Sequence, residues 1–156
     1  MSIIGVISDT HGLLRDEAIK LLDGVDHIIH AGDIGKPDIV TRLEAIAPVA
    51  AIRGNIDVDS WALRYPETLR LTLFGHSIFV SHDRKELTIC PSEERIDMVI
   101  SGHSHRPSIE TTDGVIYLNP GSAGPRRFRL PVTLATVEIL AGSLHPKIHH
   151  LNELLR

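Results

Sequence analysis

The stretch IIGVISDTHG, residues 3–12, is an apolar, β-branched run that stops at Asp9, Thr10 and His11. Both faces of the run are apolar, so it reads as a strand buried on two sides. Such a strand belongs inside a sheet that is covered above and below. It nevertheless ends in a carboxylate and an imidazole two residues apart, and in an extended segment residues two apart point to the same face. The first strand therefore delivers two polar side chains to one spot at the edge of a core.

The segments that follow repeat the alternation. LLRDEAIKLLDGV (13–25) carries apolar residues at helical spacing and stops at Gly24. VDHIIHAG (25–32) is a second strand. KPDIVTRLEAIAP (36–48) is a second helix, with Pro37 suited to its first turn and Pro48 beyond its end. VAAIRG (49–54) is a third strand. A βαβαβ order implies parallel strands joined by right-handed crossovers. The second half is built differently. LRLTLFG and HSIFVSH (69–82) read as a hairpin about Gly75-His76. CPSEERI (90–96) is a short helix or turn leading into the apolar strand DMVISG (97–102). PSIETTDGVIYLN (107–119) is a hairpin about Asp113-Gly114, and VTLATVEIL with SLHPKIHHL (132–151) is a strand pair about Ala141-Gly142. Parallel units followed by antiparallel hairpins imply an α/β fold in which two sheets pack face to face with helices outside.

Composition narrows the function classes. The chain has 156 residues, 42% of them hydrophobic, which suits one domain spanning residues 1–156. A net charge of −4 gives no sign of a nucleic-acid or membrane surface. No apolar run approaches the roughly 18 residues of a membrane span, and no secretory leader pattern precedes the first strand. The single cysteine, Cys90, rules out an internal disulfide and a cysteine-based zinc site. A cytoplasmic location is the expectation. Ten histidines against three Phe, two Tyr and one Trp point toward metal chemistry.

The ends of the apolar strands share a pattern. GVISDTH closes on Asp9 and His11, HIIHAGD on Asp33, VAAIRGN on Asn55, IFVSH on His82 and MVISGHSH on His103 and His105. In open α/β sheets, ligands bind beyond the carboxyl ends of the strands. The His103/His105 pair repeats the spacing of Asp9/His11, so each pair aims at one point. Glycines 12, 32, 54 and 102 adjoin these residues and permit close backbone approach. Four His, two Asp and one Asn are too many ligands for one tetrahedral zinc, and they suit two ions sharing a carboxylate. Nitrogen and oxygen donors without thiolate favour manganese, iron, zinc, nickel or cobalt over calcium. Two divalent ions against two carboxylates leave positive charge for a phosphate and its transition state. They also lower the pKa of water enough to make hydroxide at neutral pH. Neither a G-x-G-x-x-G dinucleotide motif nor a G-x-x-x-x-G-K-[ST] phosphate loop is present.

At these residues the chain resembles the calcineurin-like metallophosphoesterases, and within them the small bacterial and archaeal phosphodiesterases of the YfcE/MJ0936 type. The family order of D-x-H, G-D, G-N, a lone His and G-H-x-H reads here as SDTHG, HAGDIG, IRGNID, VSHD and SGHSH, between residues 8 and 105. YLNPGSAGPRR (117–127) also looks like that group. The resemblance implies a four-layer α-β-β-α sandwich of two mixed sheets flanked by helices. It implies that Asp9, His11 and His105 hold one divalent ion, that Asn55, His82 and His103 hold the other, and that Asp33 bridges them. Manganese is the first expectation, with nickel, iron, zinc, cobalt or magnesium as alternatives. Asp33, Asn55 and His103 are the expected catalytic residues. The expected activity is hydrolysis of a small-molecule phosphodiester, with a phosphomonoesterase or nucleotidase as runner-up. A third reading is an interaction scaffold like the retromer subunit of this fold.

The chain departs from the family pattern at several positions. Many members carry G-N-H-[DE], whereas Ile56 stands here and offers no proton. Asp57, which would support that His, loses its partner. The expectation is catalysis that leans on the metals and prefers good leaving groups. Lys36 and Asp83 stand where Asp and Gly are common. Arg126 and Arg127 are weaker candidates for bidentate contacts to substrate oxygens. Asn119 and Ser122 read as structural, and His30 as a buried, hydrogen-bonded histidine. Unpaired sheet edges allow a homodimer.

Overall fold

A computed structural model describes residues 1–127 and 129–151. Ten strands and two α-helices follow in the order β1 (Ser2–Ile7), α1 (Asp16–Leu22), β2 (His27–His30), α2 (Pro37–Glu44), β3 (Val49–Ala51), β4 (Thr68–Leu73), β5 (His76–Ser81), β6 (Met98–Ile100), β7 (Ser108–Thr112), β8 (Val115–Asn119), β9 (Thr133–Leu140) and β10 (Ser143–His150). They form two five-stranded sheets, ordered β10-β9-β1-β2-β3 and β4-β5-β6-β8-β7. Both sheets are mixed. β1, β2 and β3 are parallel, as are β5, β6 and β8, while the hairpin partners run antiparallel. The fold is the expected α/β sandwich of two mixed sheets.

The apolar alternation of β1 places it between layers. Ile4 and Val6 face the second sheet, where they pack with Ile29, Ile78, Val80, Ile100 and Leu118. Ile7 faces the other way, into the cluster that α1 and α2 cover with Ala18, Leu22, Ile39 and Leu43. Gly5 brings α1 onto the strand, because a Cβ there would run into the Leu22 side chain. Helix α2 starts at Pro37 as its sequence predicts. The outer face of the second sheet carries Phe79, Val99 and Val115, with Ile96, Leu87 and Ile89 over them. That cover is the segment between β5 and β6, which holds a short 3-10 turn at Arg84–Glu86 and no α-helix. The fourth layer is therefore thinner than the helical layer on the opposite side.

Three hairpins close on two-residue turns, Phe74-Gly75, Asp113-Gly114 and Ala141-Gly142, with positive φ at both positions. This is the mirror-image turn whose twist matches the strands. The first turn lies one residue earlier than the Gly75-His76 expectation, because Leu73 pairs with His76. Glycine is favoured at the second central position, and the pairing register follows from it.

Candidate metal centre

The carboxyl ends of β1, β2, β3, β5 and β6 converge on one region between the sheets. The loop after β1 is laced to the loop after β2. Asp9 N–H donates to Gly32 O (3.0 Å), His11 N–H to Asp33 O (2.9 Å) and Gly12 N–H to Ile34 O (2.8 Å). Within the second sheet, Gly102 N–H donates to His82 O (2.9 Å). Asn119 Nδ2 donates to Gly102 O (3.0 Å) and Ser104 Oγ (3.1 Å), which holds the Gly102–His105 loop from β8. Ser122 Oγ donates to Asp9 O (3.1 Å). Asn119 and Ser122 are structural, as expected, and the structure they support is the pair of D-x-H and H-x-H loops.

Two groups of side chains result. Asp9, His11 and His105 each offer a ligand atom within 4.8 Å of the others, and so do Asp33, His82 and His103. Asp33 Oδ2 lies between the groups, 3.5 Å from His11 Nε2 and 3.2 Å from His82 Nε2. Asp9 Oδ1 is ringed by His105 Nε2 (3.4 Å), His11 Nε2 (3.8 Å) and His82 Nε2 (3.8 Å). Asn55 is exposed and shares an open cavity with His82. Arg126 and Arg127 are exposed, in the loop beyond Gly124.

These residues fit a cation. Asp9 is fully buried, yet only its Oδ2 is satisfied, by Ser8 Oγ (2.7 Å) and the His103 N–H (3.1 Å). Asp9 Oδ1, His11 Nε2 and His82 Nε2 are buried and have no hydrogen-bond partner. Groups of this kind are costly to bury unpaired. The orientation of His82 sharpens the point. Its Nδ1–H donates to Ala31 O at 2.7 Å, so Nε2 is the nitrogen left to face two carboxylate oxygens. Backbone anchoring of the far nitrogen is the usual setting of a metal-binding imidazole.

The electrostatics agree. Burial would raise the Asp9 carboxyl, but His105, His11, His82 and Ser8 outweigh it and hold it well below the usual carboxylate range. Asp33 is likewise held low, chiefly by His82 against its own burial. Burial would depress His82, but Asp33 and Asp9 push it up to about 9. The field that draws a proton to His82 draws a divalent cation equally well.

The backbone at the site is unusual. Asp9, His11, Asp33, His103 and His105 all have positive φ, between 46° and 68°. For non-glycine residues this conformation is uncommon and clusters at functional sites. The glycines between them are sterically required. A Cβ on Gly32 would sit 2.7 Å from His82 Nδ1, one on Gly54 would collide with Asp33 Oδ1, and one on Gly102 with Ser8 Oγ and Asp9 Oδ2.

Two supporting residues were read incompletely from sequence. Asp57 has no role toward a side chain at position 56. Its buried carboxylate accepts the N–H groups of Ile34 (2.9 Å), Gly35 (2.9 Å) and Gly54 (2.8 Å), stapling the β2 loop to the β3 loop. The other is Thr10, between Asp9 and His11. Gly32 N–H donates to His30 Nδ1 (3.1 Å), so the proton of His30 is on Nε2, which donates to Thr10 Oγ1 (3.0 Å). Thr10 Oγ1–H in turn donates to Ile34 O (2.8 Å). Burial pushes His30 down to about 4, so it is neutral at pH 7. The position of Thr10 between two candidate ligands was its only signal; β1 ends at Ile7 and Asp9 and His11 have left-handed φ, so the turn of the loop and not extended alternation sets these side-chain directions.

Residues 1–142 match the family model of the calcineurin-like phosphoesterase superfamily domain. A probable metallophosphoesterase of Methanothermobacter thermautotrophicus is 36% identical over 134 residues, covering 77% of this chain and 76% of that protein. The phosphodiesterase MJ0936 of Methanocaldococcus jannaschii is 26% identical over 136 residues, covering 76% of this chain and 82% of that protein. The solved structure of an archaeal phosphodiesterase superposes with a TM-score of 0.78 at 22% identity, covering 94% of this chain and 99% of that one.

Proposed function

The chain belongs to the calcineurin-like phosphoesterase superfamily, and from that membership we propose that it is a two-metal hydrolase of small phosphodiesters. The observation that carries this reading is the set of buried, unpartnered ligand atoms, Asp9 Oδ1, His11 Nε2 and His82 Nε2, facing one another across Asp33. Asp9, His11 and His105 hold one divalent ion. Asn55, His82 and His103 hold the second, and Asp33 is shared. Manganese is the preferred metal, because the donors are nitrogen and oxygen with no thiolate. Ions bound there supply Lewis acidity for phosphoryl oxygens and a nucleophile near neutral pH. The protein's part is to hold the ligands in place without a supporting proton donor at Ile56, whose backbone N–H is committed to Asp33 Oδ1 (3.1 Å). Asn55 and His103, the exposed members of the second group, face the substrate, and Arg126 and Arg127 approach its oxygens from the loop beyond Gly124.

A diester is favoured by the space beside the ligands. One open cavity of about 380 Å³ adjoins Asn55 and His82, and another of about 400 Å³ adjoins Asp83, Gly102 and Ser104. A diester sends two organic arms from phosphorus in different directions, and each cavity can take one. A monoester would use one and leave the other to water.

The test is turnover of bis(p-nitrophenyl) phosphate and of p-nitrophenyl phosphate with added manganese, for the wild type and Asp33→Asn. Loss of the shared carboxylate should lower diester turnover about a thousandfold, roughly 4 kcal/mol in transition-state stabilisation. Faster turnover of the monoester would replace the diester reading with the phosphatase one. Absence of any phosphoester turnover by the wild type would favour the scaffold reading.

A further inference from the structure

The cavity beside Asn55 and His82 has a lining that selects for a particular chemistry. It is walled by Arg53, Thr68, Ser81, Glu86 and Thr88 together with Glu67 and the backbone at Gly54. Among the described residues, no aliphatic side chain lines it, and His82 at its floor is its one aromatic ring. Arg53 is fixed by two contacts, Nη1 to Tyr65 O (2.5 Å) and Nη2 to Glu67 Oε1 (3.4 Å), which leave its other guanidinium N–H groups available. Glu86 and Glu67 are acceptors, Arg53 is a donor, and the three hydroxyls of Thr68, Thr88 and Ser81 serve as either.

We propose that this cavity receives a neutral, hydroxylated aliphatic arm of the substrate, of the glyceryl or sugar type. The inference rests on the phosphodiesterase reading above and specifies its substrate class. An aryl arm finds no aliphatic side chain and only the His82 ring here, so burying it would set much of a ring against carboxylates and hydroxyls. A second anionic group meets two carboxylates against one guanidinium, and is repelled. An arm with vicinal hydroxyls satisfies donors and acceptors together, and an analogue lacking them leaves these groups unpaired.

The experiment uses two diesters that share p-nitrophenolate as leaving group, one with a 2,3-dihydroxypropyl arm and one with a propyl arm. The manganese-loaded wild type should favour the dihydroxypropyl ester by about tenfold in kcat/KM. In the double variant Glu86→Ala, Thr88→Val the ratio should fall toward one. A wild-type ratio near one, or a variant that keeps the wild-type ratio, overturns the proposal. A second measurement separates it from the activity reading. Calorimetric titration with 2,3-dihydroxypropyl phosphate and with propyl phosphate reports binding alone. If neither ester is hydrolysed, tighter binding of the hydroxylated probe, lost in the double variant, sustains the cavity assignment while the hydrolase reading falls. Equal binding of the two probes, or none, overturns the assignment.

Discussion

Left-handed backbone occurs both at the hairpin tips and at the candidate metal centre of this molecule. At the hairpin tips, Phe74, Asp113 and Ala141 have φ of 50°, 51° and 53°, and each is followed by a glycine of positive φ. At the candidate metal centre, Asp9, His11, Asp33, His103 and His105 have φ between 46° and 68°. The dihedral is the same and the cause differs. At the tips it comes from local turn chemistry, since a two-residue loop with the twist of its strands needs it. A Cβ on Gly75, Gly114 or Gly142 would meet nothing within 4 Å. At the centre the strain, of order 1–3 kcal/mol per residue, is held by bonds between distant segments. They include Asp9 N–H to Gly32 O and His103 N–H to Asp9 Oδ2. The tips can relax into solvent, and the centre cannot.

The most severe way to break that distinction is to fill the centre. Gly54 needs no positive φ, and its added Cβ would meet the Asp33 carboxylate and backbone N. Gly54→Ala should lower manganese affinity about a hundredfold or more by displacing Asp33, measured by calorimetric titration. Wild-type affinity would mean that the glycines are not tied to the ligands.

Asp57 tests whether long-range bonds hold the loops. Asn presents an NH₂ group to backbone donors, so Asp57→Asn should destabilise the protein by about 3 kcal/mol. The melting temperature would fall by roughly 6–12 °C. A change of under about 2 °C would count against the staple.

A smaller effect concerns pH. His30 is neutral in the folded state down to about 4, below the ordinary 6.5. Between those values the unfolded chain binds more protons, so stability falls as pH drops from about 6.5 toward 4. In metal-free protein His30 should contribute a loss of about 2 kcal/mol between pH 7 and pH 5. His82 pulls the other way, since its raised value favours the fold at lower pH, and it acts in both the wild type and His30→Gln. Urea titrations of the two should therefore differ in pH slope, and equal slopes would remove His30 from the account.

The mildest case lies at a tip. Gly142→Ala should cost about 1 kcal/mol from its φ of 79° alone. The melting temperature should drop about 2–4 °C, with manganese affinity as in the wild type. Altered affinity would show that tip and centre are coupled.

Much of the centre was legible in the sequence because its candidate ligands sit where apolar runs stop, and the end of a buried strand is visible as a change of residue type. The α/β sandwich was legible for a related reason, since two-sided apolar strands need cover on both sides. Asp57 was misread because the neighbour that matters to it is not residue 56. Its carboxylate turns toward N–H groups of Ile34 and Gly35, more than twenty positions earlier. The Thr10–His30 bond spans twenty residues and had no local signature. The cover on the second sheet was also obscure, since CPSEERI has too short a pattern to separate a turn from a helix.

The sequence by itself determined which strands are buried and which polar side chains follow each one, one to five residues beyond its end, because the change from apolar to polar residues is visible position by position. The sharing of Asp33 between two groups, the orientation of His82, the tautomer of His30, and the polar cavity at Arg53 and Glu86 were decided only by the tertiary structure. Each depends on distances between segments far apart in the chain, and those distances exist only once the two sheets have packed.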